Sequence, residues 1–204
     1  ASGTAPVNAL ANGGVLTVNS GALVQYAAST LNPDMLGTNG IAINGTGKLD
    51  FNGASDGIGT VTVNAYGATT DTTNIVNSAG GGNVAVNGLI ITPVQGCVTR
   101  IDTGTGTLTL SNNVTFNGAQ TGRAQISGNL SLGNFPRSFT VNMGTHSNYD
   151  LAIDAVISGN AGVDMIKLQT GLLRLNGANT FDGNLTNSSG TVVLGNAQAL
   201  GLPS

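Results

Sequence analysis

Glutamate and tryptophan are missing from this 204-residue chain, and lysine and arginine together number only six. Helices draw their solvent faces from Glu, Lys and similar residues, so this shortage predicts a fold with almost no helix. Six scattered cations against nine aspartates, a formal charge of −3, leave no basic stripe for phosphates, which excludes nucleic acid as a partner. The single cysteine, Cys97, rules out an internal disulfide and leaves the redox compartment open. Beside Val98 it reads as a small buried hydrophobe. The single histidine, His146, lies in the polar stretch THSNYD and reads as a solvated turn residue, because zinc sites and nucleophilic triads need more than it alone supplies. The longest aliphatic runs are as short as Leu89 to Ile91, far below the length of a transmembrane helix. No basic leader precedes an apolar stretch, and the first residue is Ala1, so the expectation is a processed chain or a piece of a larger one.

What fills the chain instead is Gly, Asn, Thr and Ser, 96 of 204 residues, together with a 40% hydrophobic share. Thr and Val favour strands, while Asn and Gly favour turns. The apolar content is enough to offset the entropy of ordering, which separates this composition from a flexible linker. An all-β fold spanning 1–204 as a single unit is predicted.

A repeating unit emerges from pairs of apolar residues spaced two apart, which face the same side of a strand. They run Leu16 and Val18, Ile41 and Ile43, Val61 and Val63, Val84 and Val86, Leu108 and Leu110, Leu130 and Leu132, Leu151 and Ile153, Leu173 and Leu175, Val192 and Leu194. The mean step is about 22 residues, and Asn, Asp, Ser or Gly follows each pair, as at Asn19, Asn44, Asn64, Asn87 and Asn176, where a strand must bend. Three short strands per repeat describe one coil of a parallel β-helix, here about nine coils in a rod of roughly 43 Å. The phrase GLLRLNGANTFDG at residues 171–183 nearly copies GTLTLSNNVTFNG at 106–118, a separation equal to three such coils. Leu110 is expected beneath Leu132, with inward Leu, Ile, Val and Phe around a dry interior.

Residues 171–201, GLLRLNGANTFDGNLTNSSGTVVLGNAQALG, resemble the autotransporter-associated β-strand repeat of bacterial autotransporter passengers. The resemblance lies in the opening from Gly171 to Gly183, the segment Gly190 to Leu194 and the close at Asn196 to Gly201. It implies a right-handed parallel β-helix, exported through the outer membrane and displayed at the cell surface or released, with adhesive duties toward host or neighbouring-cell surfaces. It supplies no catalytic residue.

The chemistry-bearing patterns are sparse. GASDG matches a nucleophile motif around Ser55, but that motif needs a strand-to-helix elbow and no helix is predicted. Asp150, Asp154 and Asp164 are the nearest thing to the paired carboxylates of polysaccharide-cleaving β-helices, with Lys167 and Arg174 as neighbouring cations. Asp154, however, holds the turn slot that Asn fills elsewhere, and Lys167 and Arg174 read as solvent-facing strand residues. The calcium nonapeptide of β-rolls is absent. No catalytic, cofactor-binding or metal-binding residue is therefore assigned. The expected role is a non-enzymatic structural or adhesive surface segment. Head-to-tail assembly of coils into a filament or layer, and a polysaccharide lyase or hydrolase, stand as the alternatives.

Overall fold

Alternating apolar and small polar residues give short extended segments, and Gly and Asn between them turn the chain, so each segment is free to stack on the one a coil earlier. A computed structural model describes residues 13–27, 35–66, 68, 70–93, 96–118, 121–145 and 148–202. Seventeen strands and no helix occur among them, and every strand pairing is parallel. The fold is a parallel β-solenoid.

Its strands form three walls. The first stacks Val15–Val18, Gly40–Asn44, the later parts of Asp56–Asn64 and Val84–Thr92, then Val114–Phe116, Arg137–Val141, Met165–Leu168 and Leu185–Asn187. The second stacks the early parts of Asp56–Asn64 and Val84–Thr92, the ends of Val98–Leu110 and Arg123–Ser131, and Val156–Ser158. The third runs from Leu23–Gln25 through Lys48–Asp50, Thr72–Val76, the starts of Val98–Leu110 and Arg123–Ser131, Leu151–Ile153 and Leu172–Leu175 to Thr191–Leu194. Long strands serve two walls by bending at a corner, as Val98–Leu110 does at Gly104, whose φ is +57°.

The coil differs from the sequence expectation in length and number. Along the first wall the stacked residues are Leu16, Ile41, Val61, Leu89, Val114, Phe139, Lys167 and Asn187, separated by 25, 20, 28, 25, 25, 28 and 20 residues. A turn therefore takes about 25 residues, and this wall has eight layers, not nine; seven intervals make roughly 34 Å. The nine apolar pairs do mark strands, and most of their members are buried, but they fall in threes. The pairs beginning at Leu16, Ile41 and Val61 lie on the first wall, those beginning at Val84, Leu108 and Leu130 on the second, and those beginning at Leu151, Leu173 and Val192 on the third. Val61 stacks on Leu89 rather than Val84, and Leu130 on Ile157 rather than Leu151. The twin phrases are likewise one wall out of phase, since Leu108 lies on the second wall and Leu173 on the third. Leu108 pairs with Leu130 and Thr109 with Ser131, so Leu110 and Leu132 follow as parallel neighbours, both fully buried, as expected.

The interior is largely apolar, with Phe51, Phe116, Phe139 and Phe181 among the fully buried side chains. Each such residue contributes about 1.5–3 kcal/mol. Corners carry the amides. Asn44 Nδ2 donates to Asn19 Oδ1 at 3.1 Å, Asn64 pairs with Asn44 in the next layer, and Asn117 Nδ2 donates to Thr92 Oγ1 at 3.2 Å.

Glycine is required where corners of successive coils touch. A Cβ on Gly106 would lie 1.9 Å from the Gly82 carbonyl oxygen, whereas one on Gly57 meets nothing within 4 Å. Gly106→Ala is expected to cost about 2 kcal/mol or more through backbone displacement. Gly57→Ala should stay within about 0.5 kcal/mol of the parent. Urea unfolding midpoints of the two variants measure the contrast; equal midpoints would contradict the close-packed corner.

Candidate functional site

Many of the charged residues join one coil to the next. Asp150 is buried and accepts hydrogen bonds from the Gly144 amide at 2.8 Å and the Leu172 amide at 2.7 Å. Asp154 accepts from Gln125 Nε2 in the coil below and from Asn176 Nδ2 at 2.5 Å in the coil above. Asp164 accepts from the Asn184 backbone amide at 2.7 Å and side-chain amide at 3.1 Å. The three carboxylates thus serve separate corners. They do not form the facing pair that glycoside cleavage uses.

Lys167 corrects the sequence reading. It is fully buried, not solvent-facing, and stacks over Phe139 on the first wall. Its long stem carries Nζ out of the apolar column to the carbonyl oxygens of Leu168 (3.1 Å), Gln169 (2.5 Å) and Ser189 (2.9 Å). Three donors meet three acceptors, so the ammonium is satisfied where it sits. Burial pushes its pKa below the usual lysine value, and the charge of Asp150 partly opposes that shift. Arg174 is half-buried, with Nε donating to Asn176 Oδ1 at 2.8 Å.

The remaining motif residues are also structural in their contacts. Ser55 Oγ accepts from the Asn83 amide at 2.9 Å, in a turn without a helix. Cys97 is buried, as its apolar neighbour suggested. His146 lies outside the described residues. Among the described residues, no three His, Cys, Asp or Glu side chains gather into a metal-binding group, and no helix is long and apolar enough to cross a membrane.

The family-like phrase now has a physical reading. A Cβ on Gly177 would sit 2.1 Å from the Ala155 carbonyl oxygen. Asn179, buried, accepts from the Ile157 amide at 2.8 Å and donates to the Ala199 carbonyl at 2.7 Å, so one amide bridges two coils. Phe181 fills the interior between them. Hydrogen bonding of Asn along the axis is what stacked coils lead one to expect, whereas a matching role for Asp50 was missed. The Asp50 carboxylate is buried and accepts from Gln25 Nε2 (2.7 Å), Asn52 N (2.9 Å), Ser78 N (3.0 Å) and Ser78 Oγ (2.6 Å). Nothing in the sequence flags it, because its donors come from three different coils.

Among the described residues, two shallow grooves lie side by side on the outer surface. One, of 370 Å³, is lined by Thr38, Gly57, Ile58, Ala85, Asn87 and Ser111. The other, of 180 Å³, is lined by Thr109, Ser111, Gly133, Asn134, Phe135 and Arg137. Ser111 belongs to both. Phe135 is 67% exposed, and the Arg137 guanidinium stands 6.0 Å from its ring centre.

A parallel solenoid whose polar side chains bind coil to coil, with an open neutral groove, is the setting for comparison with known proteins. The chain is similar to the adhesin BmaC autotransporter of Brucella suis biovar 1 (strain 1330), at 37% identity over 100 residues. That stretch covers 47% of this chain and 3% of the adhesin, so the chain spans a small fraction of the relative's length. No family model matches, and no solved structure matches. The match and the solenoid fold are consistent with an autotransporter passenger segment.

Burial raises the Asp50 pKa, but the hydrogen bonds from Ser78, Gln25 and Asn52 outweigh it, leaving the carboxyl below its ordinary 3.8. A depressed folded pKa means stability that is present above about pH 4 and lost as pH falls through the folded value. Thermal midpoints should therefore drop on acidification below pH 4, and Asp50→Asn should flatten that acid limb while lowering the midpoint at pH 7. An unchanged acid limb would contradict the assignment. Lys167→Ala removes a fully buried stem from the apolar column and the donor that ties Leu168, Gln169 and Ser189 together, and is expected to cost about 3 kcal/mol, read from the urea midpoint.

Proposed function

We propose that this chain is a structural and adhesive segment of an exported bacterial surface protein, a rigid solenoid that projects and binds through its outer walls. The observation that carries the reading is the combination of a parallel solenoid with 37% identity to part of an autotransporter adhesin. The engagement of the aspartates in coil-to-coil bonds supports a non-enzymatic role. Host or neighbouring-cell surfaces are the partners, and the bacterial surface or the extracellular space is where the segment works.

A second reading has its own observation. Among the described residues, the outermost coils expose Val15 and Leu23 at one end and Leu194, Leu200 and Leu202 at the other, and residues 13–25 and 183–202 contain no charged side chain. Edge strands are ordinarily protected by charge or proline. These edges suit pairing with a further coil, from a longer chain or from a second copy.

The test is attachment. Beads coated with the purified chain should adhere to epithelial or bacterial cells above the level of beads coated with an unrelated β-protein, and incubation with pectin or alginate, with and without Ca²⁺, should yield no cleavage. Attachment at the background level would defeat the adhesive reading, and polymer cleavage would replace it with the lyase or hydrolase alternative.

A further inference from the structure

The floor of the paired grooves follows directly from register. Gly57 pairs with Ala85, and Ala85 with Thr109, placing their outward side chains in one row along the second wall. Beside that row, Asn87 and Ser111 follow the stacked residues Val86 and Leu110 into the corner, and both are exposed. From the Gly57 layer to the layer of Gly133 is three steps, roughly 14 Å. Thr38 lines one of the two grooves of this trough and Phe135 the other.

Its chemistry is specific in what it offers. The lining has hydroxyls at Thr38, Thr109 and Ser111 and amides at Asn87 and Asn134, but no carboxylate. Its one cation, Arg137, is only 6% exposed, and its Nε donates to the Leu132 carbonyl at 2.7 Å, so it presents little charge to a ligand. Asn134 Oδ1 accepts from Asn160 Nδ2 at 2.6 Å, which holds the rim beside Phe135. Phe135 itself is a large ring standing in solvent, with one neighbouring guanidinium to orient it. An apolar ring beside neutral hydroxyls and amides matches a sugar ring, which has C–H faces and a hydroxyl edge.

We infer that this trough binds a neutral oligosaccharide, with one sugar ring stacked on Phe135 and its hydroxyls meeting Thr109, Ser111 and Asn87. The inference rests on the adhesive reading and gives it a ligand class. Without a carboxylate in the lining, the trough holds the glycan and leaves it intact.

Calorimetry and array binding of the 204-residue chain against neutral gluco-, galacto-, manno- and xylo-oligosaccharides, with polygalacturonate and heparin as charged comparators, test it. At least one neutral oligosaccharide should bind. Phe135→Ala and Ala85→Arg should each weaken binding tenfold or more, Phe135→Trp should preserve it, and the unfolding midpoint should not move. Failure of every neutral oligosaccharide, binding of the charged polymers alone, or full binding by Phe135→Ala overturns the inference. Coated beads separate it from the broader reading. If Phe135→Ala beads attach as well as the parent and no oligosaccharide binds, the trough is wrong and adhesion stands. If a neutral oligosaccharide binds through Phe135 but no beads attach, the trough stands and the adhesive role is lost.

Discussion

Parallel, in-register hydrogen bonding of each coil onto the next is the constraint from which the remaining features follow. A coil cannot satisfy its own backbone, because its strands point along three walls and have no partner within the turn. Apart from the turns, the strand amides and carbonyls find their partners in the layer above or below. Once that is fixed, equivalent residues lie one strand spacing apart, so inward positions become columns and corners become places where two backbones approach. Isoleucine, leucine, valine and phenylalanine fill the columns, and glycine is needed where a carbonyl lies under a corner, as beneath Gly106 and Gly177.

The same constraint accounts for the use of charge in a chain that has little of it. Asp50, Asp150, Asp154 and Asp164 accept from groups in neighbouring coils, and Lys167 donates into the corner of the next one. An ionised group at such a place is solvated by fixed backbone dipoles instead of water, and it couples the coils it bridges. The price is chemical: carboxylates committed to amides are poor candidates for acid or base work. What is left facing outward is mostly small and neutral.

Much of the fold was readable in the sequence, and its failures were systematic. Apolar pairs such as Leu108 and Leu110 correctly marked inward strands, and Asn44 and Asn176 correctly marked corners. The error lay in treating all such pairs as one column, because an apolar-x-apolar pair looks the same on any wall. Turns of 20 to 28 residues let a 22-residue count drift from the first wall at Val63 to the second at Val84, and from the second at Leu132 to the third at Leu151. Lys167 escaped because its charge hides a stem long enough to lie in the core and still reach carbonyls at the corner. The trough escaped because Phe135 looks like any other apolar residue until the corner that holds it is known, and because Gly57, Ala85 and Thr109 are brought together only by register.

The register across the first wall is the most direct point of attack. In a Cys97→Ala background, Thr62→Cys with Ile90→Cys places two half-exposed thiols on adjacent layers, since Thr62 and Ile90 are paired residues. The alternative partner from a uniform 22-residue coil is Ala85. Adjacent parallel strands lie within disulfide reach, whereas residues on different walls do not. Mild oxidation should close the Thr62→Cys, Ile90→Cys pair within a single chain and leave the Thr62→Cys, Ala85→Cys pair reduced, as read by mass spectrometry. Closure of the second pair and not the first would contradict the three-walled solenoid described above.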